Sequence, residues 1–334
     1  MFCHNYYTVI ILSGNSVVFS LSAIWKSLRA IVFAGPHALQ CRQENFNMFI
    51  RDILQKPSVT ISFEVFPPKK ADSFESVHDA AISIASLKPD FMSVTYGAGG
   101  TTAGLTLELS EAIQEQAGIP SIAHLTCVSS AREKVDNILE EYKKRGIRNV
   151  LALRGDIPPA GRTSYDFEHA EDLVRYIRSN SDLCIGGACY PEGHIECPHK
   201  KDDIAYLKQK VDAGCEFLTT QMFFDNNIFY NFLYRAREAG IQVPIIPGIM
   251  PITNAKQLSR SVSLSGTSVP ESFKAIVDTF GDNPEAMKQA GIIYASQQII
   301  DLIANGIRHI HVYSMNKPDI AEAIFHNLSE VIHE

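Results

Sequence analysis

The chain has 334 residues, 46% hydrophobic and 20% charged, with a formal net charge of −7 and a pI near 5.9. That balance belongs to a folding globular chain with a sizeable core and excludes a mainly disordered or fibrous protein. The longest basic run is Lys143-Lys144-Arg145, so neither a nucleic-acid footprint nor an anionic-membrane patch is expected.

The first segment stands apart. Tyr6 to Trp25 is a run of twenty residues without Asp, Glu, Lys or Arg, long enough to span a bilayer. Its Thr8, Ser13, Gly14, Asn15, Ser16, Ser20 and Ser22 keep its hydropathy modest, and Met1 to Asn5 lacks the basic residues of a secretory leader. Residues 1–47 are read as an extension, disordered or arising from an upstream start codon, with Met48 as the initiator. Residues 48–334 are read as one compact unit. Seven cysteines without a Cys-x-x-Cys pair suit a reducing cytoplasm better than a disulfide framework.

From Met48 onward the chain alternates. Short β-branched runs occur at Val59 to Val65, Phe91 to Thr95, Ser121 to Leu125, Asn149 to Leu153, Cys184 to Cys189, Glu216 to Met222, Val243 to Ile246 and Arg308 to Tyr313. Between them lie segments of helical spacing, such as Phe74, Val77, Ala81, Ile84; Val135, Ile138, Leu139, Tyr142; and Ile204, Leu207, Val211. Ser130 and Glu133 have the spacing of a capping box. Gly118, Gly146, Gly214, Gly240 and Gly306 each stand where a helix should end in the left-handed conformation, with a strand about two residues later. A repeating strand, helix, Gly unit with strands apolar on both faces predicts a single (β/α)8 barrel. Ile252 to Asn305 inserts extra helices between strands 7 and 8, one of them starting at Pro270. Gly97-Ala-Gly-Gly-Thr101 does not match the G-x-G-x-x-G turn that an open dinucleotide-binding sheet requires.

In such barrels the catalytic groups sit at the C-terminal ends of the strands. This chain places Glu64, Thr95, Tyr96, His124, Arg154, Asp156, Tyr190, Gln221, Tyr313 and Asn316 there. Glu64, in Ser62-Phe-Glu-Val-Phe-Pro-Pro68, has neighbours that exclude water, so its carboxyl is expected to be raised and protonated, as a general acid must be. Asp156 follows Gly155, read as allowing close backbone approach to a ligand. His194-Ile-Glu-Cys-Pro-His199 offers soft ligands, so a metal-dependent barrel lyase or hydrolase is the alternative. The spacing fits no standard zinc pattern, and no metal site is expected.

The motifs Ser62-Phe-Glu-Val-Phe-Pro-Pro68, Val94-Thr-Tyr-Gly-Ala98, His124-Leu-Thr-Cys127, Leu151-Ala-Leu-Arg-Gly-Asp156, Tyr190-Pro-Glu-x-His194, Lys210-Val-Asp-Ala-Gly214, Thr220-Gln-x-Phe-Phe-Asp225 and Ile246-Pro-Gly-Ile-Met-Pro251 closely resemble the catalytic domain of the methylenetetrahydrofolate reductase family, in its short bacterial form. The resemblance runs in order from about Ser58 to about Phe325. It implies a flavoenzyme that binds FAD noncovalently and reduces 5,10-methylenetetrahydrofolate to 5-methyltetrahydrofolate with NADH or NADPH, in one-carbon metabolism and methionine biosynthesis. By position it implies Glu64 as general acid and Asp156 as the carboxylate between flavin and folate. FAD contacts fall on Tyr96, Ala98, His124, Arg154, Gly155, Asp156, His169, Ala170, Tyr190, His194, Asp203 and Lys210, with Thr95 near the nicotinamide. Gln221, Gln257 and Lys317 join Asp156 at the folate. A cytoplasmic homo-oligomer without a nucleic-acid or membrane partner is expected.

The chemistry suits these types. Protonating the bridging folate nitrogen opens the ring to an iminium, a task for a carboxylic acid such as Glu64. Hydride transfer to the iminium carbon then needs roughly 3 to 3.5 Å contact. Two departures stand out: Lys317 where some relatives carry Arg, a point charge in place of a bidentate fork for the folate carboxylate, and Ser261 where relatives can carry a stacking aromatic.

Overall fold

The computed structural model describes residues 48–68, 73–96, 103–128, 130–157, 161–164 and 166–332. Residues 1–47, with the uncharged stretch and the boundary drawn at Met48, lie outside them, as does the Gly97 to Thr101 turn. No helix among the described residues is long and apolar enough to cross a membrane.

One all-parallel sheet forms the core. Its strands are β1 (Thr60–Val65), β2 (Phe91–Val94), β3 (Ser121–Thr126), β4 (Asn149–Leu153), β5 (Cys184–Cys189), β6 (Phe217–Thr220), β7 in two pieces (Ile245–Ile246 and Gly248–Ile249) and β8 (His309–Tyr313). Each pairs in register with the next, and β1 pairs with β8. The seventh strand closes the circuit: Ile245–Ile246 pairs with β6, and Gly248–Ile249 pairs with β8. Pro247 interrupts it because proline has no N–H to give the ladder, yet its carbonyl still accepts from His311 N at 3.0 Å. The (β/α)8 barrel read from the sequence is thus the fold, and the seventh strand runs three residues past the run expected there.

The five joint glycines all have positive φ, from 66° at Gly146 to 132° at Gly214. The helices bury the stripes their spacing set out: α4 (Arg132–Lys144) buries Val135, Ile138, Leu139 and Tyr142. Its start differs from the capping box expected at Ser130. The helix begins one residue later, after Ala131, and the free Arg132 N–H is taken by Asp166 Oδ2 at 3.0 Å, from the loop after β4. The insertion between β7 and β8 holds three helices, α8 (Ala255–Ser265), α9 (Glu271–Phe280) and α10 (Pro284–Ala304). Gly291 lets α10 press on the chain at Ile252, where a Cβ would lie 1.7 Å from the carbonyl oxygen.

The N-terminal end of the barrel is plugged by the short helix α1 (Ile50–Ile53). Ile50, Ile53 and Leu54 pack with Phe91, Ile122, Leu151, Cys184, Phe217 and Ile246. Asn149 ties the plug to the strands: its Oδ1 accepts from Ile50 N at 2.8 Å, and its Nδ2 donates to Met48 O and Ser121 O, each at 3.2 Å. Nearby, Glu216 takes Arg51 at 2.6 Å and Arg178 at 2.9 Å.

Candidate active site

Strand geometry sends alternate side chains to one face, and the β1–β8 register sets Thr60, Ser62 and Glu64 beside His309, His311 and Tyr313. This polar ladder runs up the barrel. His309 Nδ1 meets Thr60 Oγ1 at 3.0 Å at the lower rung, and His311 Nδ1 meets Ser62 Oγ at 2.8 Å above it. Glu64 tops the ladder. Its Oε2 lies 3.6 Å from His311 Nε2, 3.6 Å from His124 Nε2 on β3, and 3.4 Å from Ser93 Oγ on β2.

Hydrogen bonds from three strands order this cluster. The single Ser62 hydroxyl hydrogen goes to Ile310 O at 3.0 Å, so the Ser62 oxygen accepts from His311 Nδ1–H. The other ring nitrogen, Nε2, faces the Ser93 hydroxyl at 3.3 Å and Glu64 Oε2 at 3.6 Å. Burial pushes the Glu64 carboxyl up, but His311 and His124 facing it and the Ser93 hydroxyl pull it down, and the net direction is down. This reverses the expectation of a raised, protonated Glu64: apolar neighbours were legible around it, while the two imidazoles that outweigh them arrive from other strands. His124 moves the other way from its ordinary value, to about 4, because burial disfavours its charge, and it is neutral near pH 7.

His124 Nε2 and Tyr96 Oη are buried without a hydrogen-bond partner among the described residues. Orphaned polar atoms at the mouth of a barrel are the mark of a site shaped for a ligand that completes them. Around the same rim, His194 Nδ1 accepts from Glu196 N at 3.2 Å, which leaves Nε2–H of the neutral ring to donate, and its ring stands edge-on to Tyr190 with centroids 4.6 Å apart. Lys210 donates to Ala188 O at 2.5 Å from inside the wall, and its charge acts on Asp203. Arg154 is gripped by Glu196 through two contacts of 2.5 and 2.7 Å. His169 precedes α5 (Ala170–Asn180), whose start is held by Asp172 accepting from His169 N at 2.9 Å.

Asp156 is exposed at the rim, and its charge reaches Arg154 and Tyr190. Gly155 has φ of 83°, and a Cβ there would lie 2.9 Å from Val128 Cγ1 and 3.0 Å from Thr126 Cβ. Packing against Thr126 and Val128 and a left-handed backbone both demand the glycine. Thr95 N continues the sheet by donating to Val65 O, and Gln221 Oε1 accepts from Met222 N at 3.0 Å. Gln257 and Lys317, far apart in the chain, converge on Thr253: Gln257 Oε1 accepts from Thr253 N at 3.0 Å, and Lys317 Nζ donates to Thr253 Oγ1 at 3.4 Å. Ala98 lies outside the described residues.

His311, Ser62, Ser93 and Thr253 were not singled out from sequence. The signal for the first two was the two-residue period of polar positions in Thr60-Ile-Ser-Phe-Glu64 and His309-Ile-His-Val-Tyr313. Among the described residues no three His, Cys, Asp or Glu side chains are grouped to hold a metal ion. Cys197 in the His194 to His199 loop points its thiol at the His199 carbonyl, at 3.4 Å. That loop offers no converging donor set for the metal-dependent alternative.

The family model for methylenetetrahydrofolate reductase matches residues 49–329. Methylenetetrahydrofolate reductase (NADH) 1 of Arabidopsis thaliana is 39% identical over 295 residues, covering 84% of this chain and 50% of the plant protein. The 5,10-methylenetetrahydrofolate reductases of Pectobacterium carotovorum and Escherichia coli K12 are 36% and 34% identical, with 81% of this chain and 90% of each bacterial protein covered. The chain spans about half the length of the plant relatives it matches and most of the bacterial ones. Among solved structures, a Clostridium thermocellum protein described as binding two copies of 5-methyl-5,6,7,8-tetrahydrofolic acid shares the fold, with a TM-score of 0.63 at 18% identity, over 86% of this chain and 99% of that one.

Proposed function

The chain belongs to the methylenetetrahydrofolate reductase family, and from that premise we propose that it reduces 5,10-methylenetetrahydrofolate to 5-methyltetrahydrofolate, with FAD as cofactor and NADH or NADPH as electron donor. The observation that carries this reading is Glu64 at the barrel mouth, its Oε2 3.6 Å from both His124 and His311.

FAD, when bound, supplies the hydride chemistry that side chains lack. The orphaned Tyr96 hydroxyl and His124 Nε2 fit such a group, and Arg154, Gly155, His169, Ala170, Tyr190, His194, Asp203 and Lys210 surround the same rim. Ala98 belongs to this proposal by family position. Glu64, the end of its cluster that reaches the barrel mouth, delivers the proton to the bridging folate nitrogen. Asp156 places a negative charge where the opened folate becomes cationic. Gln221, with a donor and an acceptor on one amide, serves folate and nicotinamide in turn, with Thr95 beside the latter. Lys317, joined to Gln257 through Thr253, offers a cation to the folate tail. The five described cysteines are unpaired, which suits the cytoplasm, and self-association into a homo-oligomer belongs to the same reading.

Purified full-length protein, reconstituted with FAD and desalted, tests this. Retained visible flavin absorption is the expected result; a protein that stays colourless overturns the reading.

A further inference from the structure

The regular ladder between β1 and β8 ends at the pair Glu64 and Tyr313. On its other side β1 continues normally, with Val65 paired to Val94 and Val65 O accepting from Thr95 N. Past Glu64, therefore, the β8 side of the strand has lost its backbone partner. Side chains from the turn after β8 replace it. Ser314 Oγ donates to Glu64 O at 2.6 Å. Asn316 Oδ1 accepts from Phe66 N at 2.9 Å, and Asn316 Nδ2 donates to Phe66 O at 2.8 Å. One amide side chain thus meets both polar groups of residue 66, as a neighbouring strand would.

The backbone of the turn is arranged for this. Met315 and Asn316 are both left-handed, with φ of 56° and 54°, a conformation that asparagine tolerates and methionine rarely adopts. The turn then leads through Lys317 into α11 (Pro318–Asn327). The two residues flanking Val65 are in this way bound to the segment that carries Lys317.

We propose that Asn316 is a positioning residue: by pairing with both polar groups of Phe66 it fixes the end of β1, and with it the Glu64 carboxyl, against the turn that presents Lys317. The inference rests on the folate reading above, in which Glu64 gives the proton and Lys317 meets the tail. Asn316 makes the acid and the tail site one rigid piece, so a folate seated on Lys317 arrives in register with Glu64. The nicotinamide step needs no proton from Glu64 and gains nothing from the clamp.

The test uses full-length, FAD-loaded protein in anaerobic rapid mixing, with the NADH and methylenetetrahydrofolate half-reactions followed separately. Asn316→Gly accepts the left-handed backbone and removes only the clamp. Its folate half-reaction should slow about 10- to 100-fold, as small misplacements of a reacting group do, while its NADH half-reaction stays within about twofold of wild type. Ser314→Ala, which removes only the hydrogen bond to Glu64 O, should move the folate step in the same direction by less, and it carries the test if the glycine variant does not fold. An unchanged folate step overturns the proposal. So does an equal loss in both half-reactions, the signature of a general structural role. Wild-type protein that is reduced by NADH yet never reoxidised by folate would instead overturn the functional reading beneath it.

Discussion

The two ends of the barrel treat polar groups in opposite ways. At the N-terminal end every group named in the plug is paired: Asn149 spends both ends of its amide on Ile50, Met48 and Ser121, and Glu216 holds two arginines. At the C-terminal end Tyr96 and His124 are buried without partners, and Glu64 stands at 3.6 Å from two imidazoles, beyond ordinary hydrogen-bond length. The same fold satisfies its polar groups at one end and leaves them open at the other, where the proposed reaction lies. Substitutions at the two ends should separate accordingly.

The largest effect is expected at the mouth. Glu64→Gln should keep bound FAD and the NADH half-reaction while slowing the folate half-reaction about 10²- to 10⁴-fold, the usual contribution of a positioned acid. Stopped-flow reoxidation measures it, and an unchanged rate would remove Glu64 from its role. At the other end, Asn149→Ala leaves the buried Ile50 N–H unpartnered and takes a donor from Met48 O and Ser121 O, and should cost about 1–3 kcal/mol in urea unfolding while folded enzyme keeps its turnover. Lost turnover at unchanged stability would erase the division between the ends.

Gly248→Ala probes the region between them. Tyr313 reaches over the seventh strand to donate to Thr220 O at 2.5 Å, and a Cβ on Gly248 would meet both Tyr313 Oη and Thr220 O at 2.5 Å. Overpacking of this kind should cost about 1–3 kcal/mol. It should also slow turnover, since Tyr313 is the register partner of Glu64; a variant as stable as wild type would show that the crossing is not needed.

The smallest effect is in pH. The proton affinity of His124 falls from an ordinary 6.5 to about 4 on folding, so in that window the unfolded chain binds the extra proton. Its contribution to stability is complete above about 6.5 and is lost as pH falls toward 4. His124→Asn should therefore lose less stability than wild type between those two values, read as unfolding midpoints against pH. Parallel curves would mean that His124 is not held neutral.

What was legible in the sequence was local. The joint glycines, the helical stripes at Val135 to Tyr142 and the strand runs follow from residues within one turn or one strand of each other, and they located the barrel and its rim. What was hidden depended on partners distant in the chain. Asp166 caps α4 in place of Ser130 because the loop after β4 folds back on it. The direction of the Glu64 shift was set by His311 on the last strand together with His124, and the need for Gly155 by Thr126 on β3 and Val128 just past it. The family motifs reached most of the rim, whereas His311 was marked only by strand period, and Asn316 was legible as a strand-end residue but not as the partner of Phe66.

One anaerobic titration tests the proposal that the open polar end of the barrel is a flavin-dependent folate reduction site. NADH added to the FAD-loaded protein should bleach the visible flavin band, and methylenetetrahydrofolate added to the same cuvette should restore it with formation of 5-methyltetrahydrofolate. A band that NADH does not bleach with NADPH equally inert, or a bleached band that the folate leaves unchanged, would contradict it.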